Sequence, residues 1–106
     1  MKYVTYIQDK DLLEYYLIRD VNTKEHLPFT RNGNKTSVEF THILPPRLFR
    51  RRQDAKRTLS YWRKGKGYTD INTGRVKFQE VKGRKERGME IIKVYIIQER
   101  IDNANN

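Results

Sequence analysis

At 106 residues, with a net charge of +10 and no cysteine, the chain has room for one small hydrophobic core and cannot build disulfides, thiolate metal sites or thiol nucleophiles. Hydrophobic residues make up 36% of it and charged residues 34%, so the core must be economical, while an aromatic share of 11% argues against wholesale disorder. No apolar run approaches the roughly 20 residues that span a bilayer, and "MKYVTYIQDKD" lacks the features of a secretion signal, so a cytoplasmic protein without membrane association is expected.

"KYVTYIQ" (2–8) and "LLEYYLIR" (12–19) are rich in β-branched and aromatic residues, and "DKD" between them supplies turn residues. Together they predict an antiparallel hairpin. Both of its faces carry apolar groups, so alternation alone leaves open which is buried. Residues 21–37 are loop-like, with Pro28 and the turn signal Asn32-Gly33-Asn34. "VEFTHI" (38–43) predicts a short strand, ended by Pro45-Pro46.

A helix follows, with Leu48 and Phe49 either in it or extended ahead of a start near Arg51. At 100° per residue Leu48, Ala55, Leu59 and Trp62 fall within about 40° of one another, a narrow stripe that marks the buried face. Gly65 and Gly67 end it, and Arg63 and Lys64 suit the negative end of the helix dipole. Residues 68–88 predict mostly loop with a strand at 75–81. "MEIIKVYIIQE" (89–99) predicts a strand with neighbours on both edges. The expected architecture is α+β: one domain over 1–101, a mostly antiparallel sheet with one amphipathic helix packed on it, and a frayed polar tail at 102–106.

The positive charge is segregated. Residues 47–66 carry nine Lys or Arg against Asp54 alone, and residues 75–88 carry six against Glu80 and Glu86. The remaining residues are net negative, so the field is directional and suits nucleic acid or an acidic protein face. On the helical wheel Arg50, Arg57 and Lys64 form one row opposite the apolar stripe, with Tyr61 beside it, and Arg52, Lys56 and Arg63 form a second row flanking the stripe. Rows at helical spacing suit a phosphate backbone, and arginine grips phosphate in bidentate fashion. Tyr61 or Tyr68, where exposed, would stack on a base. Lys66 and the "KGRKERG" loop, with Lys82, Arg84, Lys85 and Arg87, complete the expected nucleic-acid-binding set. The plain alternative is a solvated helix face whose arginine stems shield apolar surface.

"LFRRRQDAKRTLSYWRKG" and "RKERGMEIIKVYIIQE" together resemble small accessory proteins encoded by bacteriophages. The shared pattern is an extended Leu-Phe, a helix with Ala, Leu and Trp inside, a glycine stop and a closing Ile-Ile/Val-x-Val strand. The matching positions are Phe49, Ala55, Leu59, Trp62, Gly65, Ile91, Ile92 and Val94, all structural. The resemblance implies a fold, a phage origin and a bacterial host cell, and it carries no catalytic residue across.

Constellations for chemistry are missing. His26 and His42 stand alone without metal-ligand spacing, and Asp9 and Asp11 are explained by turn chemistry rather than by a Mg²⁺ site with Glu14 or Asp20. Ser37 and Ser60 have no nucleophile elbow, and "GKG" at 65–67 lacks phosphate-loop spacing. A non-enzymatic protein without cofactor or metal is expected. Its partner is either DNA or RNA, held by backbone contacts, or an acidic host protein or nucleoprotein complex: a polymerase, nuclease or defence complex that it would inhibit or modulate.

Overall fold

A computed structural model describes residues 12–31 and 36–97, and its elements in order are β1 (Leu12–Asp20), α1 (Arg52–Lys64), β2 (Lys66–Thr69), β3 (Val76–Gln79) and β4 (Met89–Ile97). They form a small α+β domain of one helix and two two-stranded antiparallel sheets, β1–β4 and β2–β3. The first strand of the expected N-terminal hairpin (2–8), its turn, the Asn32-Gly33-Asn34 turn and the tail at 102–106 lie outside the described residues.

β1 and β4 pair over their full nine residues, from Leu12 opposite Ile97 to Asp20 opposite Met89. Alternation puts Tyr16, Ile18, Met89 and Ile91 on one face, and these pack into the core with Leu27, Phe40, Ala55, Trp62, Val38, Phe49 and Leu59. Ile18, Leu27, Ala55 and Trp62 are fully buried. This settles which face of the sheet is inside.

Among the described residues, β1 is the strand with partners along both edges. Along its second edge the Tyr16 and Phe49 amides and carbonyls exchange two hydrogen bonds of 2.8 Å, and the Leu27 amide donates to the Ile18 carbonyl. Among the described residues β4 pairs with β1 alone. The isoleucine run arises differently: Ile91 faces the core, Ile92 lies on the opposite face by alternation, and Ile96 and Ile97 are exposed beyond the core.

The expected strand at 38–43 shrinks to a single bridge between Thr41 and His26. The Thr41 hydroxyl accepts from the Ile43 amide, which bends the chain at once, and Pro46 bridges Pro28 instead of extending a ladder.

The helix begins at Arg52, because the extended Arg51 (φ −128°, ψ 140°) follows directly on the Phe49 bridge to β1. Leu48 therefore stands outside the buried stripe and is exposed. Arg50 leaves the row it was expected to share with Arg57 and Lys64. Within the helix the stripe behaves as the 3.6 period requires: Ala55 and Trp62 are buried and Leu59 half-buried. Trp62 meets Phe40 edge to face at 4.9 Å between ring centres, and its indole N–H donates to the Val38 carbonyl at 2.8 Å.

Gly65 stops the helix at φ 128°, with its amide donating to the Trp62 carbonyl at 3.1 Å. A Cβ at this position would lie 2.0 Å from the Gln79 carbonyl oxygen. Glycine thus ends the helix and lets β3 pass close by. The chain continues directly into β2, where the sequence predicts the end of the helix and the start of a loop.

Candidate nucleic-acid interface

The basic residues divide into two populations by geometry. In "KGRKERG" the arginines turn inward and the lysines stay out. Arg84 is 2% exposed, lies over the Trp62 ring at 4.2 Å and donates to the Trp62 carbonyl (3.0 Å), the Thr36 carbonyl (2.8 Å) and the Glu39 carboxylate (2.7 Å). It satisfies a carbonyl in the last turn of the helix, a role that a terminal cation fills well. Arg87 reaches Asp20 at 2.6 Å and Glu25 at 2.8 Å and lies over the Phe40 ring. Asp20 in turn accepts the amides of Asn22 and Thr23. The Thr23 amide and the Arg87 side chain hold its carboxyl at a pKa of about 2.

Arg84 and Arg87 are thus committed to the interior, and the surface they were expected to form with Lys82 and Lys85 is reduced to the two lysines. Lys82 is exposed and Lys85 stands 3.7 Å from Glu80. Arg63 is also drawn inward: it is half-buried, and its guanidinium donates to the Arg87 carbonyl at 3.1 Å, tying the helix to the loop.

On α1 the cations that stay outside are Arg52, Lys56, Arg57 and Lys64. Arg52 and Lys56 are exposed, with no carboxylate in ion-pair range among the described residues. Arg57 is exposed and 3.9 Å from Asp54, whose carboxylate also receives Arg51. Lys64 lies 5.2 Å from the centre of the Tyr61 ring and 5.5 Å from that of Phe78. Arg50 stands ahead of the helix with its guanidinium 5.5 Å from the centre of the Tyr15 ring. Asp54 is the lone acid in α1.

Tyr61 is stacked on Phe78 of β3 at 5.8 Å and 11°, with 43% of its surface exposed. That stack fastens the β2–β3 ribbon to the helix. By register the ribbon has two sides: Gly67, Thr69, Val76 and Phe78 on one, and Lys66, Tyr68, Lys77 and Gln79 on the other. The second side is exposed throughout and carries Lys66, Lys77 and Tyr68. Arg75 and Lys77 were not among the expected binding residues. The signal was present in "YTDINTGRVKF", where a β-branched and aromatic alternation flanks an Asp-x-Asn-Thr-Gly turn with Gly74 at φ 73°.

Among the described residues no group of three or more His, Cys, Asp or Glu side chains converges to hold a metal ion, and no helix is long and apolar enough to cross a membrane. His26 donates from Nε2 to the Leu44 carbonyl, and its backbone pairs with Thr41. No family model, curated protein or solved structure matches the chain.

Proposed function

We propose that the protein binds nucleic acid, DNA or RNA, by contacts to the phosphate backbone. One observation carries this reading. Internal pairing claims Arg84 and Arg87 and draws Arg63 inward, yet Arg52, Lys56, Arg57 and Lys64 on α1 and Lys66 at the start of β2 are left exposed. A helix whose exposed cations Arg52, Lys56, Arg57 and Lys64 are balanced by the single acid Asp54, with Lys66 following on β2, has a surface suited to polyanions. The contacts available are cations and aromatic faces, which hold a backbone and stack on bases without reading sequence.

The test is a titration of labelled single- and double-stranded oligonucleotides across salt. Five neutralised phosphates predict a log–log slope of about −4 to −5 on duplex, or roughly a 500-fold loss of affinity between about 50 and 200 mM salt. Binding that does not respond to salt would sink the reading.

A second reading has its own observation. Phe29 and Leu44 are more than half exposed and Ile43 is 87% exposed, and the Phe29 amide bonds to the Pro45 carbonyl, so these apolar side chains rise from adjoining segments. This favours a protein-binding inhibitor or modulator of a host polymerase, nuclease or defence complex, as the resemblance to phage accessory proteins implies. Absence of oligonucleotide binding at low salt would transfer the argument to this surface.

A further inference from the structure

We propose that the β2–β3 ribbon is an arm that enters the groove of a nucleic-acid duplex and presses Ile71 between two base pairs, bending the duplex. The proposal rests on the nucleic-acid reading above and assigns it a duplex partner. Its starting point is the ribbon's tip. Ile71 is 94% exposed, the highest value among the exposed large hydrophobic residues described.

An exposed isoleucine alone needs no explanation. This one differs in how it is held and in what surrounds it. The Asp70 amide bonds to the Arg75 carbonyl at 2.8 Å, and the Gly74 amide bonds to the Asp70 carbonyl at 2.7 Å. The Asp70 carboxylate receives the Asn72 amide at 2.8 Å, and Gly74 supplies the left-handed residue that closes the turn. The tip is therefore an ordered turn that presents an aliphatic side chain outward.

At the other end the ribbon is fastened to the body. The Gly67 amide donates to the Thr36 hydroxyl at 2.7 Å, Phe78 stacks on Tyr61, and Gly65 lets β3 pass against the helix end. With the base fixed, the strand Lys66–Thr69 covers three residue steps, a reach of roughly 10 Å at strand rise, and the turn that carries Ile71 lies beyond it. That exceeds the depth of either groove of a duplex, about 8 Å.

The chemistry along the arm matches the occupant. Lys66, Tyr68 and Lys77 occupy its open side, and Arg75 stands beside the turn. Asp70, the acid in the turn, is engaged by Lys77 at 2.9 Å, which keeps its carboxyl below the ordinary range, so it is neutralised rather than turned against phosphate. An apolar side chain at the tip of a two-stranded element, with Lys66 on its open side and Arg75 after the turn, suits a wedge that pries apart a base step while cations hold nearby phosphates. A pocket on a protein would not call for the cations along the shaft.

The experiment compares the full chain with Ile71→Ser on a duplex carrying a donor and an acceptor dye at its ends, and on a single strand of the same sequence. The expected result is increased energy transfer when the wild-type protein binds the duplex. Ile71→Ser should abolish the increase and weaken duplex binding about tenfold, with single-strand affinity changed less than about twofold. At 94% exposure the side chain supports no packing, and circular dichroism verifies that Ile71→Ser is folded. Duplex binding without bending, or equal bending by Ile71→Ser, overturns the arm while leaving the phosphate-binding reading intact. Absence of binding to either oligonucleotide at low salt overturns both.

Discussion

Arg84 gathers a helix carbonyl, a loop carbonyl, a carboxylate and an indole face around one guanidinium, and no other side chain of the same length can replace it. Lysine has no planar fork, and alanine would remove the donor shared by the Trp62 and Thr36 carbonyls, the partner of the Glu39 carboxylate and the cover over the indole. Arg84→Ala is expected to lower stability by about 2–4 kcal/mol, read from denaturant unfolding. Trp62, the sole tryptophan, provides the fluorescence signal at the very site of the change. Asp20 offers a pH test of the neighbouring network. Its folded-state pKa lies below the ordinary 3.8, at about 2, chiefly through the Thr23 amide and the Arg87 side chain. Its contribution is therefore present in full above the ordinary value and is lost as pH falls through the interval toward 2. Asp20→Asn should flatten the acid limb of the stability curve in that interval; an unchanged limb would show that the Arg87 network does not control acid unfolding. At this scale the sequence announced cations but not their fates. Nothing in "KGRKERG" distinguishes Arg84 from Lys85, because the difference is made by Glu39, Thr36 and Trp62, which reach the loop only through the tertiary fold.

The elements show why some of the architecture could be read in advance. α1 was legible because its Ala55–Leu59–Trp62 spacing and its glycine stop are local signals, and β1 and β4 because their runs are long and β-branched. The helix start was not decided by local signals: Phe49 is held by β1, and this cuts Leu48 and Arg50 from a wheel on which they would otherwise fit. The strand at 38–43 failed for the opposite reason, since its β-propensity was real but no partner ran alongside for more than one bridge. β2 was hidden by Gly65 just before it and Gly67 within it, which look like a stop and a loop, although Gly65 is required by the close approach of β3. Gly65→Ala meets both a positive φ and the Gln79 carbonyl, and is expected to cost about 2–4 kcal/mol and to detach the ribbon from the helix end. Faster amide exchange in residues 66–69 and 76–79 than in α1 would register that detachment, and a mere overall loss of stability, equal in both, would contradict it.

Across the whole molecule the sequence displayed the excess of positive charge, and the fold decides which part of it faces solvent. The expected interface of helix rows and basic loop resolves into outward cations on α1 and at the start of β2, a ribbon with Lys77 and Arg75, and an inward pair of arginines. Charge reversal should separate them. Arg57→Glu with Lys64→Glu is expected to weaken oligonucleotide binding by about 30-fold or more at low salt and to make the salt slope shallower by about 2 units, with little change in stability. Arg87→Ala should instead lower stability with a smaller effect on binding per folded molecule. If the helix variant binds as the wild type does, the helix face is not the phosphate contact.

The pairing of β1 with β4 also bears on how the protein is made. Its partners are as remote in sequence as Leu12 and Ile97, and Arg87 must travel to Asp20 to close the same region. A chain emerging from the ribosome therefore holds Ile18 and Leu27, both destined for full burial, without their final cover until Met89–Ile97 has been synthesised. During that interval the exposed strand is open to wrong partners. Production of the protein is accordingly expected to suffer more from slowed translation of residues 66–97 than from changes on its surface, as the soluble fraction recovered after synthesis would show.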